Sequence, residues 1–83
     1  MKLILSKRAQ KQFSKLQKLE QKKIAKKLLS LQANPYIGKK LSGELEGSRS
    51  LRVWPYRIIY DLNQIAESIE INEIIHRQGA YKL

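Results

Sequence analysis

Asn34-Pro35 divides the chain into two halves of different periodicity. Proline has no N–H to donate, and it biases the residue before it away from helical geometry. No helix therefore runs through this point. Ahead of it, apolar residues recur every three or four positions; behind it, they alternate with polar ones. Eighty-three residues close a single core and are too few for two, which excludes a doubly wound dinucleotide enzyme or a barrel enzyme. A helical segment followed by strands points to one α+β domain spanning 1–83.

Lys2 to Leu5 reads as a first strand, and Ser6 as the N-cap of a helix, because its hydroxyl can accept a hydrogen bond from a free backbone N–H. Ala9, Phe13 and Leu16 form one apolar stripe, and Ile24, Leu28 and Leu31 form a second. The stripe shifts near Leu19 to Gln21, which we read as a break between two packed helices; a single long bent helix accounts for the same residues, since no Gly or Pro marks the break. Tyr36 to Ser48, with Gly38, Gly43, Gly47, Lys39 and Lys40, reads as a flexible basic loop. Three strands follow. Leu51 and Val53 alternate with polar neighbours, as do Tyr56, Ile58 and Tyr60, and Ile65 to Ile75 is an isoleucine-rich run. Trp54-Pro55 and Asn63-Gln64 are the turns between them, which gives an antiparallel three-stranded meander, and the Pro55 bond is a candidate for the cis form.

Seventeen Lys and Arg against seven Asp and Glu leave a net charge of +10, more than solubility asks of so small a domain. A polyanionic or acidic partner is implied. Residues 1–40 hold twelve of the basic residues and one acid, Glu20, and the lysines there supply diffuse charge. The second half places Arg49, Arg52, Arg57 and Arg77 among aromatic and β-branched residues, where a guanidinium can fork onto phosphate. Without cysteine there is neither a disulfide framework nor a thiolate zinc site, and one histidine cannot hold a metal alone, so no metal or cofactor is expected. No stretch approaches the roughly 20 apolar residues of a membrane span; the expectation is a soluble, cytoplasmic protein.

A hairpin closed at Trp54-Pro55 pairs Val53 with Tyr56 and, one step out, Arg52 with Arg57 on one face. Like charges directly opposed cost about 0.2–1 kcal/mol unless an anion sits between them, and phosphate is the obvious anion. Alternatively, both arginines splay into solvent or pair with carboxylates such as Glu70 or Glu73.

The run Leu51-Arg52-Val53-Trp54-Pro55-Tyr56-Arg57-Ile58-Ile59-Tyr60 resembles the second and third strands of the RelE/ParE toxin superfamily. Ile74-Ile75-His76-Arg77-Gln78-Gly79-Ala80-Tyr81 resembles that family's closing strand and tail, and Lys40-Leu41-Ser42-Gly43 with Leu45-Glu46-Gly47 resembles the approach to its sheet. The resemblance implies a strand, a helical hairpin packed on one sheet face, and a meander whose other face is exposed. It further implies a toxin of a type II toxin–antitoxin system that cuts messenger RNA in the ribosomal A site without metal, the 2′-hydroxyl attacking its own phosphodiester. An acidic antitoxin, in a possible heterotetramer, and the ribosome with its RNA would be the partners. Carried over, Arg57 holds the scissile phosphate, Arg77 meets transition-state charge and the leaving group, Tyr81 stacks or orients, and Arg52 takes the place of a strand lysine or arginine. Where some relatives carry a second strand lysine this chain has Ser50, so no proton acceptor is evident; Glu46 and His76 do not match the acid and base of other relatives, and His76 reads as a strand-end structural residue.

Trp54 either stacks on a base or folds over the core. Lys11, Lys15, Lys18, Lys22, Lys23, Lys26 and Lys27, with Lys39 and Lys40, either track an RNA backbone or form a solvated face. Lys7 and Arg8 oppose the macrodipole of the helix they begin, so stability does not account for them. Two other functions fit the same fold: a ParE-like DNA gyrase inhibitor with no nuclease activity, and a non-catalytic basic RNA-binding module.

Overall fold

The computed structural model describes residues 1–43 and 46–77. The elements run β1 (Lys2–Leu5), α1 (Lys7–Ser14), α2 (Lys18–Ala33), β2 (Lys39–Lys40), β3 (Arg49–Val53), β4 (Tyr56–Asn63) and β5 (Ser68–His76). They form one five-stranded sheet in the order β1-β5-β4-β3-β2, with β1 parallel to β5 and the other neighbours antiparallel. Both helices pack on one face of it.

Two helices are present, not one bent helix, but the break lies at Lys15 to Gln17 rather than near Leu19 to Gln21. Ser6 caps α1 as expected, its hydroxyl accepting from the Ala9 N–H at 3.0 Å. At the other end the Leu16 N–H bonds the Phe13 carbonyl at 3.1 Å, and the Gln21 side-chain amide donates to the same carbonyl at 3.0 Å. Leu16 sits in the connection yet still packs on the core, while Leu19 is exposed on α2. The apolar stripe therefore shifts several residues after the backbone has turned.

Beyond Pro35 the expected loop contains β2, whose Lys39 and Lys40 pair with Ser50 and Arg49 of β3. Two exposed lysines carry no apolar signal, which is why this edge strand is invisible to periodicity; charge and brevity are also what keep such an edge from pairing with another chain. The last strand begins at Ser68, not at Ile65. Residues 64–67 form the turn, with Asn63 Oδ1 accepting the Ala66 N–H at 3.0 Å and Glu67 in the left-handed region at φ 52°, and Ile65 stands 99% exposed at its tip. The Trp54-Pro55 bond is cis, and the hairpin around it has the expected register, Val53 opposite Tyr56 and Arg52 opposite Arg57.

One irregularity orients everything after it. Ile59 pairs with Glu73 but Tyr60 pairs with Ile71, so Asn72 is an extra residue in β5. Ile69, Ile71 and Ile74 all reach the core because of that bulge, joining Val53, Ile58 and Tyr60 beneath Ala9, Ile24, Leu28 and Leu31. Past the end of β1, α1 covers the open edge of β5: Ser6 Oγ donates to the Asn72 carbonyl at 2.8 Å, and the Ile74 N–H donates to Gln12 Oε1 at 2.7 Å.

Tyr60 fastens the connection after α2 to the sheet. Its buried hydroxyl donates to the Pro35 carbonyl at 2.8 Å and accepts the Gly38 N–H at 2.9 Å. A Cβ on Gly38 would come within 2.7 Å of the Tyr60 ring, so only glycine fits there. Desolvation raises the phenol above its ordinary value of 10.0, outweighing the opposite pull of the Gly38 hydrogen bond and of Arg49. The neutral phenol is thus favoured by folding, and its contribution is full below about pH 10 and is lost as pH rises through the higher folded value. Tyr60→Phe strands the Gly38 N–H and is expected to cost about 1–3 kcal/mol, read as a lower urea midpoint with unchanged slope. The stability gap between wild type and variant should narrow above pH 10.

Candidate functional site

Because Val53, Ile58 and Tyr60 turn toward the helices, their neighbours in β3 and β4 turn away, and Arg52 and Arg57 lie opposite each other on the outer face. Ile75 pairs with Arg57, and Arg77 lies two residues further along the same side. The Arg77 N–H donates to the Pro55 carbonyl at 2.7 Å, tying the end of β5 to the hairpin tip. Arg52, Trp54, Pro55, Tyr56, Arg57 and Arg77 line one cavity of about 370 Å³. Trp54 is not folded over the core: it is 57% exposed, and the Arg77 guanidinium lies 4.7 Å from its ring centroid, a distance suited to cation–π attraction. Arg57 Nη1 donates to Ser50 Oγ at 3.4 Å.

The carboxylates named as alternative arginine partners are engaged elsewhere. Glu73 pairs with Arg8 at 3.2 Å, and Glu70 accepts from Asn63 at 3.2 Å and Ser68 at 3.3 Å. Arg8 therefore has a structural partner after all, across from α1 onto β5, which its unfavourable place in a helix's first turn did not suggest. At the far end of the outer face Asp61 and Glu70 oppose each other, Ser48 donates to Asp61, and Glu46 lines the same hollow. The outer face is thus cationic at one end and anionic at the other.

His76 pairs with Tyr56, ring centroids 5.3 Å apart and edge to face. That register puts it on the side of the sheet away from Arg57, in keeping with a strand-end structural role. Lys23, Lys26 and Lys27 line a second cavity beside the hairpin tip, whereas Lys11, Lys15, Lys18 and Lys22 line neither of these two cavities. Lys39 and Lys40 belong to β2 at the sheet edge, and Lys40 borders a hollow with Tyr36 and Arg49. Tyr81 lies outside the described residues. Among the described residues no group of three or more His, Cys, Asp or Glu is disposed to hold a metal, and no helix is long and apolar enough to cross a membrane.

Residues 3–81 match the family model of the ParE toxin of the type II toxin–antitoxin system parDE. The chain belongs to this toxin family. No curated protein matches the toxin's sequence significantly. Among solved structures it is similar to the RelBE2 toxin–antitoxin complex of Mycobacterium tuberculosis, with TM-score 0.84 and 24% identity over 92% of this chain and 96% of that one. It is also similar to the isolated Escherichia coli RelE toxin, with TM-score 0.80 and 22% identity over 90% and 82% of the two chains. The YoeB/ParE toxin of Agrobacterium tumefaciens gives TM-score 0.81 and 18% identity over 92% and 98%. At these identities the structures establish the shared fold.

Sequence reasoning missed that Pro55 and Tyr56 complete the toxin's arginine cavity and that Ser50 sits beneath Arg57. Strand alternation already put Ser50 on the face of Arg52, so that signal was available; the Arg77 stacking depends on contacts remote in sequence. Trp54 is the single tryptophan, and its fluorescence reports on this cavity. Arg77→Ala is expected to change the intensity and position of its emission while leaving the far-ultraviolet circular dichroism unaltered.

Proposed function

We propose that the toxin is a ribosome-dependent endoribonuclease that cleaves messenger RNA in the A site, with Arg57, Arg77 and Arg52 clasping the phosphodiester. One observation carries this reading: guanidinium groups from β3, from β4 and from the residue after β5 line a single cavity. Attack of the 2′-hydroxyl forms a bond from O2′ to phosphorus and breaks the bond to O5′, so the products are a 2′,3′-cyclic phosphate and a 5′-hydroxyl. A proton leaves O2′, and one reaches O5′. Negative charge grows on the phosphorane oxygens, and guanidinium groups held in advance stabilise it more than they stabilise the singly charged ground state. Arg57 holds the phosphate, and Arg77, braced on Trp54, faces the leaving group. Tyr81 is assigned to stacking or orientation, as the family resemblance implies.

A guanidinium keeps its proton at neutral pH and so cannot serve as a base, and among the described residues the cavity wall carries no carboxylate, imidazole or amine. The proton acceptor is then Tyr81, a nearby lysine or a ribosomal group, in keeping with activity that depends on the ribosome. The same lack of a base favours the second reading, a ParE-like inhibitor of DNA gyrase without nuclease activity. The partner proposed for either reading is an acidic antitoxin whose segment covers the cationic end of the outer face, since related toxins from Escherichia coli, Staphylococcus aureus and Pyrococcus horikoshii are found in complexes with RelB or YefM.

Arg57→Ala and Arg77→Ala should each abolish growth arrest and cleavage with the fold intact, because the Arg77 link to Pro55 uses the backbone. Primer extension on translated messenger RNA tests this: cuts that disappear in both variants support the nuclease, whereas intact transcripts with gyrase-dependent DNA breaks support the inhibitor. Ribosome binding should weaken steeply with salt, and a flat response would show that phosphate contacts do not drive it.

A further inference from the structure

The arginine cavity has a neighbour behind a shared wall. Arg52 and Trp54 line both it and a groove of about 440 Å³ between the tip of β3 and α2, which Lys23, Lys26, Lys27, Ser30 and Val53 complete. This volume falls within the roughly 300–1,000 Å³ of small-ligand sites. Among the described residues its charge is of one sign, with four cationic side chains and no carboxylate in the lining. Lys23 is tethered, its Nζ donating to the Trp54 carbonyl at 3.4 Å and lying 3.8 Å from Glu20 Oε1. Lys26 and Lys27 are exposed and form no ion pair among the described residues.

Val53 and Trp54 give the groove an apolar floor, and cations flank it. An aromatic platform for bases with cations along the backbone is how proteins hold single-stranded nucleic acid. A duplex, whose bases are already stacked, would make no use of the ring.

We propose that this groove is a second subsite for the single-stranded RNA that enters the arginine cavity. The strand crosses the wall formed by Arg52 and Trp54, a base beside the cleaved linkage stacks on Trp54, and the flanking phosphates lie against Lys26 and Lys27. The inference rests on the nuclease reading of the cavity and names the path of its substrate.

Binding of two RNAs with 2′-O-methyl sugars, which cannot undergo attack, tests it: a dinucleotide and a single-stranded hexanucleotide, with a base-paired RNA hairpin as the rival ligand. Wild type should bind the hexanucleotide at least tenfold more tightly than the dinucleotide. In Lys26→Gln/Lys27→Gln, which keeps good helix formers at exposed positions, that advantage should vanish. The slope of log affinity against log salt should become shallower by about 1.4, at ~0.7 per phosphate contact on a single strand. A hexanucleotide advantage retained by the double variant, or absent from wild type, overturns the subsite, as does an equal loss on the hairpin. Failure of the underlying reading looks different: dinucleotide affinity would be unmoved by Arg57→Ala, whatever the lysines do.

Discussion

Val53, Ile58 and Tyr60 must lie beneath the helices, and in a strand whose side chains alternate that requirement turns Arg52 and Arg57 to the opposite side. The magnitudes decide the matter. Burying each large apolar side chain is worth about 1.5–3 kcal/mol, against about 0.2–1 kcal/mol for two like charges directly opposed. A slip of one residue would put an arginine into the core, so the register holds and the repulsion is tolerated. The same two-residue tip brings Trp54 to the rim of the cavity its neighbours line.

Asn72 does for β5 what the tip does for the hairpin. Were Asn72 paired as an ordinary strand residue, Glu73, Ile75 and Arg77 would follow Ile71 onto the helix side, and no third arginine would join the other two. The bulge occurs where β1 has ended and α1 takes over the strand's open edge through Ser6 and Gln12. Core packing, edge protection and the placing of Arg77 are therefore one local solution.

Much of this was legible because short turns leave little freedom: with Trp54-Pro55 as the tip, the pairing of Arg52 with Arg57 follows. Family resemblance supplied the helical hairpin on one sheet face and, in Arg77, a residue whose stacking on Trp54 no spacing rule could reveal. Where reading failed, the apolar signal and the backbone disagreed. Leu16 packs on the core from a connection and Ile65 is an isoleucine in a turn, while β2 is a strand made only of lysines. Asn72 carries no mark of its own, since a bulge is recognised only from the partner strand.

The outer face has Arg52, Arg57 and Arg77 at one end and Asp61, Glu70 and Glu46 at the other. Such a separation is an electric dipole along the sheet. In the field of a polyanion the net charge draws the molecule in, and the dipole adds a torque that rotates the arginine end forward during approach. Orientation then begins before contact, and fewer encounters are wasted on the wrong side of the molecule.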